Sequence, residues 1–289
     1  MHTAFSTIAC PDWTLDRAVA FAAESGFDGL ELRTFGHHGS PLLCEPCLTG
    51  PTKIRDLFED EGVRPAALAT SIRYDAPVVP PILGRVFGDF EKPVRQTKQM
   101  VEVATSIEAP YVRVFPFELP EGESRRSGVR RIVERLTLAA TTARHTGVRL
   151  LLENGGSFPL AEDLVELIDR VGGPLVAAAY CPAVAHAAGE DPVAGVRVLG
   201  GRLESVKLRD RDGPTPMPLG AGSIPNRPVV EELERLGYEG WCTIEWDRLW
   251  LPELDPPERV LERSLAAFYS WITPPDLSER ERRKFAASA

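Results

Sequence analysis

The sequence predicts a single (β/α)8 barrel, a TIM barrel over residues 1–272, followed by a charged tail over 273–289. Three observations carry this prediction. Eight short apolar runs recur along the chain, each the length of a parallel strand buried on both faces. Segments with helical spacing of apolar residues lie between them, as the crossovers of a parallel sheet require. No long structureless linker divides the units, and no glycine-rich dinucleotide or phosphate-loop motif follows an early run. Eight similar units therefore favour a closed barrel over an open, doubly wound sheet.

The expected strands are Phe5 to Ala9, Phe27 to Leu32, Pro65 to Thr70, Tyr111 to Phe115, Val148 to Glu153, Leu175 to Tyr180, Leu203 to Leu208 and Trp241 to Trp246. After the first, TLDRAVAFAAESG places Leu15, Ala18, Val19 and Ala22 on one stripe, starting beside Thr14 and stopping at Gly26. After the third, the proline-rich interval from Ser71 to Phe90 is the largest irregular insertion, placed where a loop reaches over a barrel mouth. After the fifth, Leu160, Leu164, Leu167 and Ile168 form an apolar stripe that ends at Gly172 and Gly173. The closing helix is expected to be capped by Asp255 with Pro256 in its first turn, presenting Val260, Leu261 and Leu265 to the last strand. The PLGAGS run from Pro218 to Ser223 lies in an irregular interval and makes a weak phosphate-loop candidate.

Composition narrows the function. Of 289 residues, 43% are hydrophobic, enough for a sizeable core, and the net charge of -9 disfavours nucleic acid and anionic membranes as partners. No basic segment leads into a long apolar core and no stretch approaches a membrane span, so a cytoplasmic protein acting on a small molecule is expected, with a homo-oligomer left open. Five cysteines form neither a dense nor an even set and are read as reduced thiols, with Cys44 and Cys47 an incidental loop pair.

Strand ends supply the candidate chemistry, because in a barrel they converge on one mouth. Glu153 ends VRLLLE and Glu245 follows WCTI. Such a carboxylate pair suits either a divalent ion or the passage of a proton between carbons, and structural ion pairing is the alternative. Lys207, inside LESVKL, would neutralise Glu153 or Glu245 if it faces inward. Arg33 and Arg113 are candidates to grip a substrate carboxylate or phosphate, and Glu31 closes the same strand as Arg33. Trp246 is a candidate pocket wall. Cys181 with His186 is a weaker nucleophile and base pair, and His37 with His38 reads as a solvated loop pair.

At these residues the sequence resembles the xylose isomerase-like TIM-barrel superfamily of sugar isomerases, sugar and keto-acid epimerases, dehydratases and endonuclease-type enzymes. The resemblance runs from about Phe5 to Trp271 and rests on STIACPDWTLDRAVAFAAESGFDGLELR, RLLLEN, CPAVAHAAGEDP, SVKLRDRDG, PLGAGS and GYEGWCTIEW. It implies a metal centre built from Glu, Asp, His and Glu at successive strand ends, with Glu153 first and Glu245 last. It also implies that Cys181 stands at the ligand-aspartate position, Val184 at a usual histidine or asparagine, Lys207 at the metal-binding histidine and Arg209 at a common lysine.

Lysine is a cation at neutral pH and has no lone pair to offer a metal. The expectation is therefore a centre without the usual divalent metal, in which Lys207 pairs with both glutamates and stabilises an enediolate or a substrate carboxylate. Arg33, Arg113, Arg209, Trp246 and Cys181 would line the substrate. The implied activity is isomerisation or epimerisation of a small hydroxylated keto compound or sugar by proton transfer. The alternatives are a zinc site through Glu153, Cys181 and Glu245, and a noncatalytic barrel that binds or scaffolds.

Overall fold

The computed structural model describes residues 1–34, 50–77 and 90–272. Eight parallel strands close into a barrel: β1 (His2–Ser6), β2 (Gly29–Arg33), β3 (Arg64–Arg73), β4 (Tyr111–Phe115), β5 (Arg149–Glu153), β6 (Val176–Tyr180) and β7 (Leu203–Leu208), then, after a short antiparallel hairpin of β8 (Asp210–Asp212) and β9 (Thr215–Met217), β10 (Trp241–Ile244). Closure comes from β1 against β10, with His2 opposite Trp241 and Phe5 opposite Ile244. The described helices are α1 (Leu15–Ser25), α2 (Pro51–Asp60), α3 (Lys92–Ser106), α4 (Arg125–Thr142), α5 (Ala161–Val171), α6 (Pro182–Ala187), α7 (Pro192–Leu199), α8 (Asn226–Arg235) and α9 (Pro257–Trp271). No described helix is long and apolar enough to cross a membrane.

The predicted stripes are the buried faces. In α1 the buried residues are Leu15, Ala18, Val19 and Ala22, and the helix stops where Gly26 takes a left-handed conformation, φ 90°. In α5, Leu164, Leu167 and Ile168 are buried, and the Asp163 carboxylate accepts a hydrogen bond from Leu160 N at 2.9 Å, satisfying one orphan donor of the first turn. In α9, Val260, Leu261 and Leu265 are buried. Its first residue is Pro257 with Pro256 in the cap position, one residue beyond the expected start. Either proline fits there, because a missing N–H costs nothing in the first turn.

The first and second strands begin at His2 and Gly29 in place of Phe5 and Phe27, and three strands end two or more residues away from expectation. The first strand ends at Ser6, and Thr7–Ala9 form a 3-10 turn closed by Cys10 N on the Thr7 carbonyl at 3.1 Å, so Ile8 and Ala9 are buried by the turn packing inward. The third strand extends to Arg73, past Thr70, because Arg73 pairs with Phe115 beyond an irregularity in register. The last strand stops at Ile244, and Glu245 continues its line through a hydrogen bond from its N–H to the Leu208 carbonyl at 3.0 Å. The hairpin β8–β9 within the charged LRDRDG stretch has no counterpart among the expected elements. Residues 78–89 of the irregular insertion, His37, His38, Cys44, Cys47 and the tail over 273–289 lie outside the described residues.

Alternation along the strands separates two apolar regions. Residues such as Phe5, Leu30, Leu32, Val112, Leu150, Leu152, Val206, Leu208, Cys242 and Ile244 join the main core with the helices. Inside the barrel the filling is small: Ala67, Leu151, Ala177 and Ala179 form one cluster, and Ala4, Ala66 and Trp241 form another at the floor, with Tyr111 packed against both. A large floor residue requires a small neighbour. A Cβ on Gly29 would lie 2.6 Å from the Arg64 carbonyl oxygen and 2.7 Å from the Trp241 ring. Gly29→Ala is expected to lower stability by about 1–3 kcal/mol, read as a lower urea midpoint with an unchanged slope.

Candidate active site

The period of two that sends Val206 and Leu208 outward into the helix-packed core sends the alternate residues into the barrel. At the C-terminal ends of the strands these alternates are Glu31 and Arg33 on β2, Arg113 on β4, Glu153 on β5 and Lys207 on β7, with Cys181 and Glu245 just past β6 and β10. All seven are buried, Lys207 completely. Burial of so many charges is tolerable only in pairs.

The pairing follows expectation at Glu245 and departs from it at Glu153. Lys207 Nζ forms a close ion pair with Glu31 and lies 3.4 Å from Glu245 Oε1, so its partners are Glu31 and Glu245. Glu153 is instead held by Arg113, whose Nη1 donates to Glu153 Oε2 at 3.0 Å while Nη2 donates to the Thr70 carbonyl at 3.0 Å. Glu245 has a second cation in Arg209, partly exposed, which ion-pairs with it closely and lies 3.8 Å from Asp247. Arg33 reaches across to β3, donating to the carbonyls of Ala69 and Thr70 at 3.2 and 3.1 Å and to the Ser71 hydroxyl.

These partners set the two carboxyls apart. Burial pushes the Glu153 carboxyl above the ordinary carboxylate range, more than Arg113 draws it back. At Glu245 burial pushes the same way, but Arg209, Lys207 and Arg113 overcome it and hold the group ionised, well below that range. Burial brings the Lys207 ammonium down to about 8, with Glu245 opposing. Burial thus favours the protonated form of one carboxyl while the cations hold the other as an anion.

Cys181 is buried next to this charge, and burial pushes its thiol up to about 12. Its backbone is fixed by Asn154, whose Oδ1 accepts from Cys181 N at 2.7 Å and whose Nδ2 donates to the Cys181 carbonyl at 3.3 Å. His186 is exposed, away from the buried thiol, so the two do not form a dyad. Trp246 does not wall the mouth: it belongs to the core around the barrel, and its indole N–H donates to the Asp255 carbonyl at 2.9 Å. The mouth carries Trp250 instead, 56% exposed, with the Arg33 guanidinium 5.9 Å from its ring centre.

Sequence reasoning left Glu31 without its lysine and gave no role to Asn154 or Trp250. Glu31 had a signal, a carboxylate at the end of the apolar GLELR run, but its partner lies on a strand far along the chain. The PLGAGS loop is no phosphate loop here, because a carboxylate of the chain itself takes the anion position. Asp210 accepts hydrogen bonds from Gly220 N at 2.8 Å, Arg211 N at 2.9 Å and Ile224 N at 3.2 Å. A cleft of about 750 Å3 opens at the opposite end of the barrel, among Arg64, Tyr111, Glu204 and Trp241, and none of the mouth residues lines it.

The donors do not fit a divalent cation. Among the described residues no group of three or more His, Cys, Asp and Glu side chains is arranged to hold one. Within the zinc set proposed from sequence, Glu153 is engaged by Arg113, Glu245 by Arg209 and Lys207, and Cys181 holds a neutral thiol, whereas zinc binds thiolate. If the Lys207 ammonium holds this cluster together, Lys207→Met should cost about 3–5 kcal/mol near pH 7, because it leaves Glu31 and Glu245 buried with one fewer cation. The deficit should narrow near pH 5 as the stranded carboxyls take up protons. Denaturation curves at the two pH values check this, and a neutral substitution would remove the cluster as a structural constraint.

A family model for the xylose isomerase-like TIM barrel matches residues 19–271. No curated protein matches the sequence. Among solved structures, the chain is similar to the probable 3-DHS dehydratase AsbF involved in petrobactin synthesis from Bacillus anthracis, at 17% identity and TM-score 0.75, covering 93% of this chain and 99% of that one. It is similar to D-psicose 3-epimerase from Clostridium cellulolyticum H10, at 14% identity and TM-score 0.72, covering 95% and 100%. It is also similar to the IOLI protein with a binding zinc atom, at 15% identity and TM-score 0.76, covering 95% and 100%. At such identities the structures establish a shared fold, and the family match assigns the sequence: the chain belongs to the xylose isomerase-like TIM-barrel family.

Proposed function

We propose that this barrel is an isomerase or epimerase that moves a proton between carbons of a small hydroxylated keto compound or sugar, with buried side-chain cations serving where the family resemblance implies a divalent metal. The observation that carries the reading is the unequal state of two carboxyls facing one mouth. Glu245 is locked as an anion by Arg209 and Lys207, while burial raises the Glu153 carboxyl above its ordinary value and so favours its uptake of a proton. The names of the solved neighbours, sugar 3-epimerases and a dehydratase, support this reaction class.

In this mechanism the Glu153 carboxylate removes a proton from the carbon next to a carbonyl. Arg113, bonded to Glu153 Oε2, fixes the orientation of the base. The oxygen that gains charge accepts hydrogen bonds from cations already in place, Lys207 foremost, so little reorganisation accompanies the step. Protonated Glu153 completes isomerisation by returning the proton to the neighbouring carbon while the hydroxyl proton passes to the oxygen that gained charge, or completes epimerisation by returning it to the opposite face of the same carbon after the intermediate turns over. Arg209, the partly exposed member of the set, is placed to meet the outer end of the substrate. The second reading, a noncatalytic barrel, draws on the complete burial of Lys207 between Glu31 and Glu245, which also suits a structural plug.

The deciding experiment follows carbon-bound hydrogen exchange from deuterium oxide into D-fructose, D-tagatose and D-allulose by NMR, on protein purified without chelator or metal-affinity resin. Exchange should be abolished in Glu153→Gln, should survive EDTA, and should accompany a metal content far below one atom per chain by elemental mass spectrometry. Stoichiometric zinc with EDTA-sensitive exchange would overturn the metal-free centre. Tight binding without exchange would favour the noncatalytic barrel. The rate should rise with pH as Glu153 ionises, above the ordinary carboxylate range, and fall as Lys207 loses its proton near pH 8. A profile flat across both limbs would remove one or both groups from the chemistry.

A further inference from the structure

Beside Lys207 the mouth contains polar atoms whose hydrogen bonds are not made among the described residues. Ser6 is the last residue of β1 and pairs in register with Glu31 on β2. Phe5 faces the outer core, so Ser6 points into the barrel, as does Glu31, which reaches Lys207 through Oε2. Both residues are at least nine-tenths buried, yet Ser6 Oγ and Glu31 Oε1 have no hydrogen-bond partner among the described residues. Leaving a buried hydroxyl and half of a buried carboxylate unsatisfied is costly, more so for the charged group, so a partner from outside the chain is called for.

The surroundings decide what that partner is. A second cation would face the Lys207 ammonium, and an anion would face the Glu31 carboxylate. A neutral group that both donates and accepts meets neither penalty, and a hydroxyl does so with one atom. We infer that Ser6 and Glu31 form a subsite for a substrate hydroxyl, which donates to Glu31 Oε1 and accepts from the Ser6 hydroxyl. Because Glu31 holds Lys207 through its other oxygen, the carbonyl that Lys207 polarises belongs next to that hydroxyl. The ligand class is an α-hydroxy ketone, and this assignment rests on the proton-transfer reading above.

Hydroxyacetone, the smallest such ketone, is the probe. Crystals of the whole chain soaked in it should show the hydroxyl oxygen within hydrogen-bonding reach of both Ser6 Oγ and Glu31 Oε1. In solution, chemical-shift titration should give hydroxyacetone an affinity about tenfold weaker in Glu31→Gln. Ser6→Ala leaves the Glu31 pair with Lys207 in place and should weaken binding several-fold, so it carries the test if Glu31→Gln does not fold. A fixed water at the pair, an empty pair, or unchanged affinity in Ser6→Ala overturns the subsite. Deuterium exchange into the same probe separates the two readings. Hydroxyl bound at the pair without exchange spares the subsite and overturns proton transfer, whereas exchange with water retained at the pair does the reverse.

Discussion

The structure is organised around one unfavourable act, the complete removal of the Lys207 ammonium from water. Lysine sheds its hydration at a cost of several kcal/mol, offset only where carboxylates stand within reach in good geometry. Glu31 and Glu245 supply them from strands on either side of the closure, and neither is close to Lys207 in the chain. The pairing therefore depends on the barrel register: Ser6 opposite Glu31, Phe5 opposite Ile244, and Thr243 opposite Lys207. A slip of one residue in any of these strands would turn a charge outward into the apolar layer beneath the helices. Closure of the barrel and pairing of the charges are thus a single requirement.

Other features follow from holding charge at the barrel mouth. The interior below it is filled largely by alanine, leaving space above for long ionic side chains. Arg113 and Arg33 direct donors to the backbone carbonyls of β3, so that the guanidinium groups also tie strand ends together. Asp210 gathers three backbone N–H groups and fixes the return of the chain after Arg209. Asn154 does the same for Cys181 from the neighbouring strand. Each of these residues is polar, buried and occupied by backbone, which is how a barrel rim stays rigid without secondary structure of its own.

Most of the architecture was legible in the chain because it rests on local pattern. The alternation of apolar runs and amphipathic segments marks the eight units, and the stripes of α1 and α9 name buried residues correctly, as does that of α5 apart from Leu160, which is the half-buried cap residue before the helix. Boundaries were less legible where apolar composition and strand geometry part company, as at Ile8 and Ala9, which are buried in a turn. The positions of Glu153 and Glu245 at strand ends were readable from the apolar runs, but the facing of Lys207 and the identity of each partner were not. Which carboxylate meets Lys207 depends on tilt and register around a closed sheet, and no spacing in the sequence encodes that. Trp246 and Trp250 show the same limit: both follow the last strand, and only the path of the chain after Ile244 sends one into the core and the other to the mouth.

On the reading proposed above, a lysine in the place of a metal would change what the site can do, and the reason is coordination. A divalent ion offers several open positions and can bind two substrate oxygens at once or activate a water. An ammonium has three N–H donors and no acceptor. Lys207 directs donors to Glu31 and Glu245, so in the proposed mechanism one hydrogen bond would remain for a single substrate oxygen. The second oxygen of an α-hydroxy ketone must then be held by the protein, and the unsatisfied atoms of Ser6 and Glu31 lie beside the lysine to do so. On that reading, replacing an ion with a side chain would move the task of chelation onto the strand ends, and so tie substrate choice to residues on β1 and β2 that a metal centre built from the later strands would not need.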